Sequence, residues 1–156
     1  MIAIEIKPLE GVGPIRLGVT REDARGAMAR AGLPLNSSHG DSDYYCSSSI
    51  QVEHGPDSRV WFVGVSHSHA YRAVYRGVDV FRLSAEELFA LAAVADQSGP
   101  HGYSADEYCF PKQILTLWAA DTQYDYEGPE LTPVWAQVGV GNELYATAVA
   151  ELAANV

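Results

Sequence analysis

Apolar and polar side chains alternate along several short stretches of the chain. Successive side chains of a β-strand point to opposite faces, so this alternation is typical of a strand with one buried face. Runs of β-branched and aromatic residues strengthen the prediction where they occur. The chain is therefore predicted to form strands at residues 2–6, 49–53, 60–65, 113–118 and 134–140.

Two other stretches carry apolar residues at helical spacing. Thr20 and Ser84 stand immediately before them as capping residues, and Asp23 and Glu87 follow three positions later. The Ser84 and Glu87 pair has the spacing of a capping box. The apolar positions predict two helices, and they are Ala24, Ala27, Met28 and Ala31 in the first helix and Leu88, Leu91, Ala92 and Ala95 in the second. A third, alanine-rich helix is predicted at residues 143–154.

The two helical stretches belong to segments that look alike. Residues 11–17 are matched by residues 77–83, with Gly, Val, Arg and Leu in register, and each segment leads into a helix and then into strands. The pattern predicts an α+β fold of two pseudo-repeated helix-plus-antiparallel-strand units, at about 9–76 and 77–141. Units of this size share one core, so residues 1–156 are expected to form a single domain with a C-terminal helix.

Charge is distributed unevenly along the 156 residues, whose formal net charge is −10. Residues 1–82 carry nine acidic and nine basic side chains, whereas residues 83–156 carry eleven acidic side chains and only Lys112. A negative field of this kind repels nucleic-acid phosphates and attracts basic proteins. Binding of nucleic acid is therefore not expected, and a cationic protein partner is.

Location and cofactors follow from what the chain does not contain. No apolar run approaches the roughly 20 residues that span a bilayer, and the alternating N-terminus differs from a signal peptide. We expect a cytoplasmic protein with no membrane partner. Cys46 and Cys109 have no nearby ligands at zinc-finger spacing and are expected to be reduced, largely buried thiols. No cofactor is predicted.

Candidate chemistry is sparse. His67 and His69 flank Ser68 in a strand-like stretch, so both rings are predicted to share one face and could hold a metal ion. The pattern fixes no third ligand, and a solvated or hydrogen-bonded pair remains an open reading. Asp41, Asp43, Asp106 and Glu107 lie at junctions between loops and strands, where they could act as paired carboxylates or simply cap turns.

An acidic segment with two tyrosines is the candidate for binding a partner. Carboxylates can pair with basic residues of a partner, and tyrosines offer rigid contact area. A plain solvated loop is the alternative. The partner-binding residues predicted in this segment are Asp121, Tyr124, Asp125, Tyr126, Glu127 and Glu130, and Tyr44 and Tyr45 of the Ser/Tyr-rich stretch 37–49 form a second, weaker candidate.

The opening at residues 11–23, GVGPIRLGVTRED, resembles that of a group of small uncharacterised bacterial proteins. Its helix opening is also similar to the repeats of the beta-lactamase inhibitory protein family, although Val19 replaces the usual Met. That resemblance implies a scaffold of helix-plus-sheet units that holds a protein partner, and it carries over no catalytic residue. In general character the chain is similar to immunity proteins that neutralise toxin domains.

Taken together, these features favour a bacterial immunity-type protein. It is expected to bind a cognate toxin domain, itself basic, and to occlude the active site or substrate groove of that toxin. The alternative is a small metal-dependent hydrolase that uses His67 and His69.

Overall fold

A computed structural model describes residues 1–122 and 132–155. Over these ranges the chain is mostly β, with twelve strands and three helices. In chain order the elements are β1 (Ile2–Lys7), β2 (Gly11–Val12), β3 (Ile15–Arg16), α1 (Arg21–Arg30), β4 (Leu35–His39), β5 (Ser42–Tyr45), β6 (Ile50–His54), β7 (Val60–Val65), β8 (Tyr71–Tyr75), β9 (Val78–Asp79), α2 (Ala85–Asp96), β10 (Glu107–Phe110), β11 (Leu115–Thr122), β12 (Pro133–Gly141) and α3 (Glu143–Ala154).

The strands form two sheets. The larger sheet is antiparallel and has seven strands in the order β10-β11-β12-β7-β6-β5-β4. The smaller sheet has five strands in the order β3-β2-β1-β8-β9, and its β1 and β8 run parallel while its other pairs are antiparallel. Each sheet combines strands from distant parts of the sequence, because β12 pairs with β7 and β1 pairs with β8.

The predicted fold class, two helix-plus-strand repeats in an α+β arrangement, is wrong. The structure has two sheets arranged much as in a β-sandwich. The matched segments at 11–17 and 77–83 do not form the same structure. The first forms the hairpin of β2 and β3, whereas Val78–Asp79 is a single short edge strand. Strands of two residues are too short to show a periodic pattern of apolar residues. The pairing of β1 with β8 joins residues about 69 positions apart in the sequence. The local sequence pattern therefore did not reveal the smaller sheet.

One hydrophobic core lies between the two sheets and the first two helices. The smaller sheet contributes Ile4 and Tyr75, and the larger sheet contributes Val63 and Leu117. The helices close the core with side chains that include Met28 and Leu88. By contrast, α3 has no buried residue and lies outside this core. No helix in the described ranges combines the length and apolar character needed to cross a membrane.

The capping predictions for the first two helices are confirmed. The Thr20 side chain accepts a hydrogen bond from the backbone N–H of Asp23, and Ser84 and Glu87 form a complete capping box. These contacts satisfy backbone donors that have no partner within the helix. Both helices therefore begin at the positions that the sequence indicates.

A buried carboxylate fastens α1 to the edge of the larger sheet. The side chain of Asp43 on β5 is almost fully buried and accepts hydrogen bonds from Arg21 and Arg25, with Arg21 Nη2 and Arg25 Nη2 at 2.6 and 2.8 Å from its Oδ1. The Ser38 hydroxyl of β4 donates to the same oxygen. Burial alone would raise the pKa of Asp43, but the hydrogen bonds from Arg25, Arg21 and Ser38 outweigh it and hold the pKa well below its ordinary value.

We expect Asp43→Asn to destabilise the fold by about 3 kcal/mol near neutral pH, because it removes a buried, hydrogen-bonded charge from two arginines. The ordinary pKa of 3.8 is lowered in the folded state. The stabilisation is therefore present above about pH 4 and is lost as the pH falls below that value. Urea unfolding between pH 7 and pH 2 should give a weaker pH dependence below pH 4 in the variant. The exposed Asp41→Asn is the control, and equal losses in both variants would contradict this role for Asp43.

Candidate functional site

The seven-stranded sheet has one face in the core and one face outside it. On β6 the side chains of Ile50 and Val52 enter the core, so Gln51 and Glu53 lie on the other side. The same alternation applies to β5, β10, residues 63–65 of β7, residues 115–118 of β11 and residues 137–140 of β12. We call the outer side the open face and define it by Tyr44, Gln51, Glu53, Glu107, Trp118 and Gln137.

Residues of the open face are cross-strand neighbours. Glu107 on β10 is paired with Trp118 on β11, and Trp118 is paired with Gln137 on β12. On the far half of the sheet, Gln51 on β6 is paired with Tyr44 on β5. Trp118 is 51% exposed, which is unusual for an indole. The open face is therefore a continuous surface with a large aromatic side chain at one end.

Glycines at the centre of the sheet let polar side chains lie flat on this face. Gly64 on β7 is paired with Gly139 on β12. A Cβ added at Gly64 would come within 2.5 Å of the Gln137 side chain, which therefore lies across this position. From there Gln137 Nε2 donates to Gln51 Oε1 at 3.4 Å, and Gln51 Nε2 donates to Glu53 Oε1 at 2.8 Å. A line of side-chain amides thus crosses the junction between the two halves of the sheet.

One end of the open face is covered by α3. Tyr145 of this helix stacks on Phe62, with ring centroids 4.7 Å apart, and meets Trp61 edge to face. Burial raises the pKa of Tyr145 to about 12, and the nearby charge of Glu53 adds to the effect. Burial likewise raises the pKa of Glu53, and the polar indole of the neighbouring Trp61 opposes part of this shift. These shifts place Tyr145, Glu53 and Trp61 in one partly desolvated cluster beside the amide line.

Charge on the open face is of one sign. Within the described chain, none of the seven strands of the larger sheet contains a lysine or an arginine. The open face does contain Glu53 and Glu107. Lys112, the one basic residue in the sequence of residues 83–156, donates from Nζ to the carbonyl of Gln97 at the end of α2. The open face therefore combines acidic, amide and aromatic groups, a composition that complements a basic protein surface.

The predicted partner-binding residues occupy different environments. Tyr44 lies on the open face, partly exposed, in edge contact with His39. Tyr45 lies in the core, where burial raises its pKa to about 12 and keeps it from contact with a partner. Asp121 is exposed near the end of β11. The remaining predictions, Tyr124, Asp125, Tyr126, Glu127 and Glu130, lie outside the described residues.

Sequence reasoning did not single out Trp118, Gln137, Gln51 or Glu53. The usable signal was the strand alternation itself. Residues 115–118 alternate so that Trp118 lies on the same side as Thr116, opposite Leu115 and Leu117. A tryptophan on the polar side of a half-buried strand points to a contact surface.

His67 and His69 lie close together, with ring centroids 5.2 Å apart and the rings nearly perpendicular. His67 also meets Phe81 edge to face. Over residues 1–122 and 132–155, no group of three or more His, Cys, Asp or Glu side chains could hold a metal ion. The predicted pair therefore gains no third ligand from the described residues, and these residues give no support to a metal-dependent hydrolase.

A second polar cluster contains the residue types of a serine hydrolase, but its hydrogen bonds run in the direction opposite to the one that catalysis needs. Asp96, the last residue of α2, forms a chain of hydrogen bonds with Ser98, His101 and Tyr108 of the following segment. In this chain His101 Nε2 is 2.7 Å from Ser98 Oγ. Burial raises the pKa of Asp96, but hydrogen bonds from Ser98 and Gln113 outweigh it and leave the pKa lowered. Asp96 is therefore an acceptor, and Ser98 donates its proton to it. His101 then donates to Ser98 instead of withdrawing its proton, so Ser98 is not an activated nucleophile.

No family model, no curated protein and no solved structure matches this chain.

The two central glycines should respond differently to an added methyl group. A Cβ at Gly64 meets the end of the Gln137 side chain, which can move aside, so we expect Gly64→Ala to change stability by less than about 1 kcal/mol. A Cβ at Gly139 would lie 2.3 Å from Phe62 Cζ, and Phe62 is buried under Tyr145. Gly139→Ala should therefore cost about 1–3 kcal/mol by overpacking.

Chemical denaturation measures both changes, and NMR of the side-chain amides reports on the open face. In Gly64→Ala the amide signals of Gln137 and Gln51 should shift, because their contact is displaced. Equal stability losses in the two variants, or unshifted amide signals in Gly64→Ala, would contradict the flat placement of Gln137 over the sheet.

Proposed function

We propose that this protein is an immunity-type inhibitor that binds a basic toxin domain through the open face and occludes the toxin's active site or substrate groove. The observation that carries the proposal is a half-exposed Trp118 on a sheet face with glutamates and without lysine or arginine on its strands. The resemblance of the opening to inhibitory-protein repeats remains a sequence-based reason for the same proposal. We further propose that the protein acts in the cytoplasm.

The chemistry of the open face supports a protein partner over a small substrate. A sheet face is broad and shallow, whereas small-molecule sites are concave and enclose most of their ligand. Trp118 offers a large aromatic contact area that a partner would bury on binding. Aromatic contacts of this kind dominate the binding energy of many interfaces. Glu53, Glu107 and the glutamine amides supply acceptors for arginine and lysine side chains, and the glutamates carry the negative field that speeds association.

Inhibition by this route is steric. A rigid β-sheet laid across a catalytic groove excludes substrate without any reaction by the inhibitor. The sheet loses little entropy on binding, because its backbone is already ordered by hydrogen bonds. The acidic segment that contains Asp121, Asp125, Glu127 and Glu130, with Tyr124 and Tyr126, is proposed on sequence grounds as the second contact region.

The proposal is tested by identifying the toxin and then asking whether the open face neutralises it. The protein is used to capture binding partners from the organism that encodes it, and each captured protein is expressed alone and together with this chain. The wild type should relieve the growth arrest caused by the captured protein. Trp118→Ala should weaken binding by roughly 30-fold or more, as for a central aromatic contact, and should fail to protect.

Charge reversal tests the electrostatic part of the proposal. Glu107→Arg places a positive charge beside Trp118 and should lower the association rate by about tenfold at low salt, with a smaller loss at high salt. Glu10→Arg makes the same charge change outside the seven-stranded sheet and is the matched control. If both reversals slow association equally, or if captured proteins cause no toxicity, the open face is not the inhibitory surface of a toxin antagonist.

A further inference from the structure

A groove with aromatic walls lies on α2, separate from the residues that define the open face. Its volume is about 560 Å³, within the range of small-molecule sites. Six residues of the described part of the chain line it, and four of them lie on α2 at the spacing of one helical face. They are Glu86, Phe89, Ala90 and Ala93 of α2 together with His101 and Tyr103 of the segment that follows.

Two aromatic rings form a corner of this groove. Phe89 and Tyr103 meet edge to face, with centroids 5.3 Å apart and ring planes at 78°. Tyr103 also lies against Trp135, with centroids 6.0 Å apart. The Tyr103 side chain is 42% exposed, whereas Phe89 is buried beneath it. Ala90 and Ala93 leave the space in front of the rings unfilled.

The segment that carries Tyr103 has no regular secondary structure, yet it is held in place. His101 is hydrogen-bonded through one ring nitrogen to Ser98 and through the other to Tyr108. Its ring packs against Phe110 with centroids 5.1 Å apart. Trp135, which Tyr103 contacts, is itself fixed by a 2.9 Å hydrogen bond from its Nε1 to the carbonyl of Ala85. The walls of the groove are therefore formed before any ligand arrives, which lowers the entropy cost of binding.

The charge of the groove is negative. Glu86 is an exposed carboxylate on its lining, and within residues 1–122 and 132–155 no lysine or arginine lines it. Burial, and after it the charge of Glu86, raises the pKa of Tyr103, which puts the carboxylate within electrostatic reach of the tyrosine ring. Aromatic faces attract cations, and a carboxylate beside them adds a Coulomb attraction. The site thus favours a positively charged ligand.

The small number of hydrogen-bond acceptors in the groove determines which kind of cation fits it. A guanidinium or a primary ammonium carries several N–H donors, and each needs an acceptor when it leaves water. Here both His101 nitrogens are engaged, and among the described lining side chains only Glu86 and the Tyr103 hydroxyl offer an oxygen. A quaternary ammonium has no N–H donors, and its methyl groups pack well against rings and alanine methyls.

From this arrangement we propose that the α2 groove binds the quaternary ammonium group of a small molecule, with Tyr103 as its exposed aromatic wall, backed by the buried Phe89, and Glu86 as its counter-ion. Such a site is independent of the open face and of inhibition.

Choline is the probe, and its uncharged isostere 3,3-dimethylbutan-1-ol is the matched comparison. The full chain is titrated with each, and binding is followed by backbone NMR. Choline should give saturable shifts centred on Ala90, Ala93 and Tyr103. The isostere should bind at least about tenfold more weakly, because it has the same shape without the charge.

Three substitutions test the named contacts. Tyr103→Leu should weaken choline binding by roughly fivefold or more through loss of the cation–π contact. Glu86→Gln should weaken it by about threefold and reduce its dependence on salt. Ala90→Leu fills the groove and should abolish saturable binding, while Val94→Leu, on an exposed α2 position outside the lining, should leave it unchanged.

Four results would overturn the proposal. They are equal affinity for choline and its isostere, shifts centred away from the groove, choline binding that survives Ala90→Leu, and binding of a trimethyllysine peptide without any binding of choline. The last result would assign the groove to a protein partner instead of a small molecule. None of these results depends on whether the open face binds a toxin.

Discussion

The antiparallel ladder between β7 and β12 is the interaction on which the rest of the structure depends. It joins strands β4–β7 to strands β10–β12, and without it the larger sheet would be two separate meanders. Gly64 and Gly139 face each other in this ladder. Because neither has a side chain, Phe62 and Gln137 lie flat against the backbone, and the outer surface stays continuous across the junction. The core behind it is filled from both halves by Val63, Val65, Val138 and Val140.

The strands and helices that could be predicted are those with a local pattern. Alternation located β1, β6, β7, β11 and β12, and caps located the starts of α1 and α2. The smaller sheet could not be found in this way, since β1 meets β8 only through long-range parallel pairing and β2, β3 and β9 have two residues each. Tyr71–Tyr75 has the alternating burial of a strand, whereas the two similar glycine-led segments form different structures. Sequence similarity of turns is weak evidence for similarity of architecture.

The candidate site illustrates the same limit. Tyr44 and Tyr45 are adjacent in sequence, yet one lies on the open face and the other in the core, because β5 directs successive side chains to opposite sides. Asp43 lies on the same buried side of β5 as Tyr45, and there it pairs with two arginines of α1. Charge imbalance could be read from the sequence. The concentration of aromatic and amide groups beside it could not, because β10, β11, β12 and β6 supply them jointly.

The edge strand β4 has one further consequence. A strand at the edge of a sheet has one row of unpaired backbone groups, to which a strand of another chain can add. Long, regular and apolar edges promote aggregation in this way. The register of β4 against β5 is irregular between Leu35 and Ser37, and the strand is composed of Leu, Asn, two Ser and His. A kinked and polar border of this kind is a poor template. The protein can therefore keep a broad, ordered sheet surface available while remaining resistant to self-association through strand addition at that side.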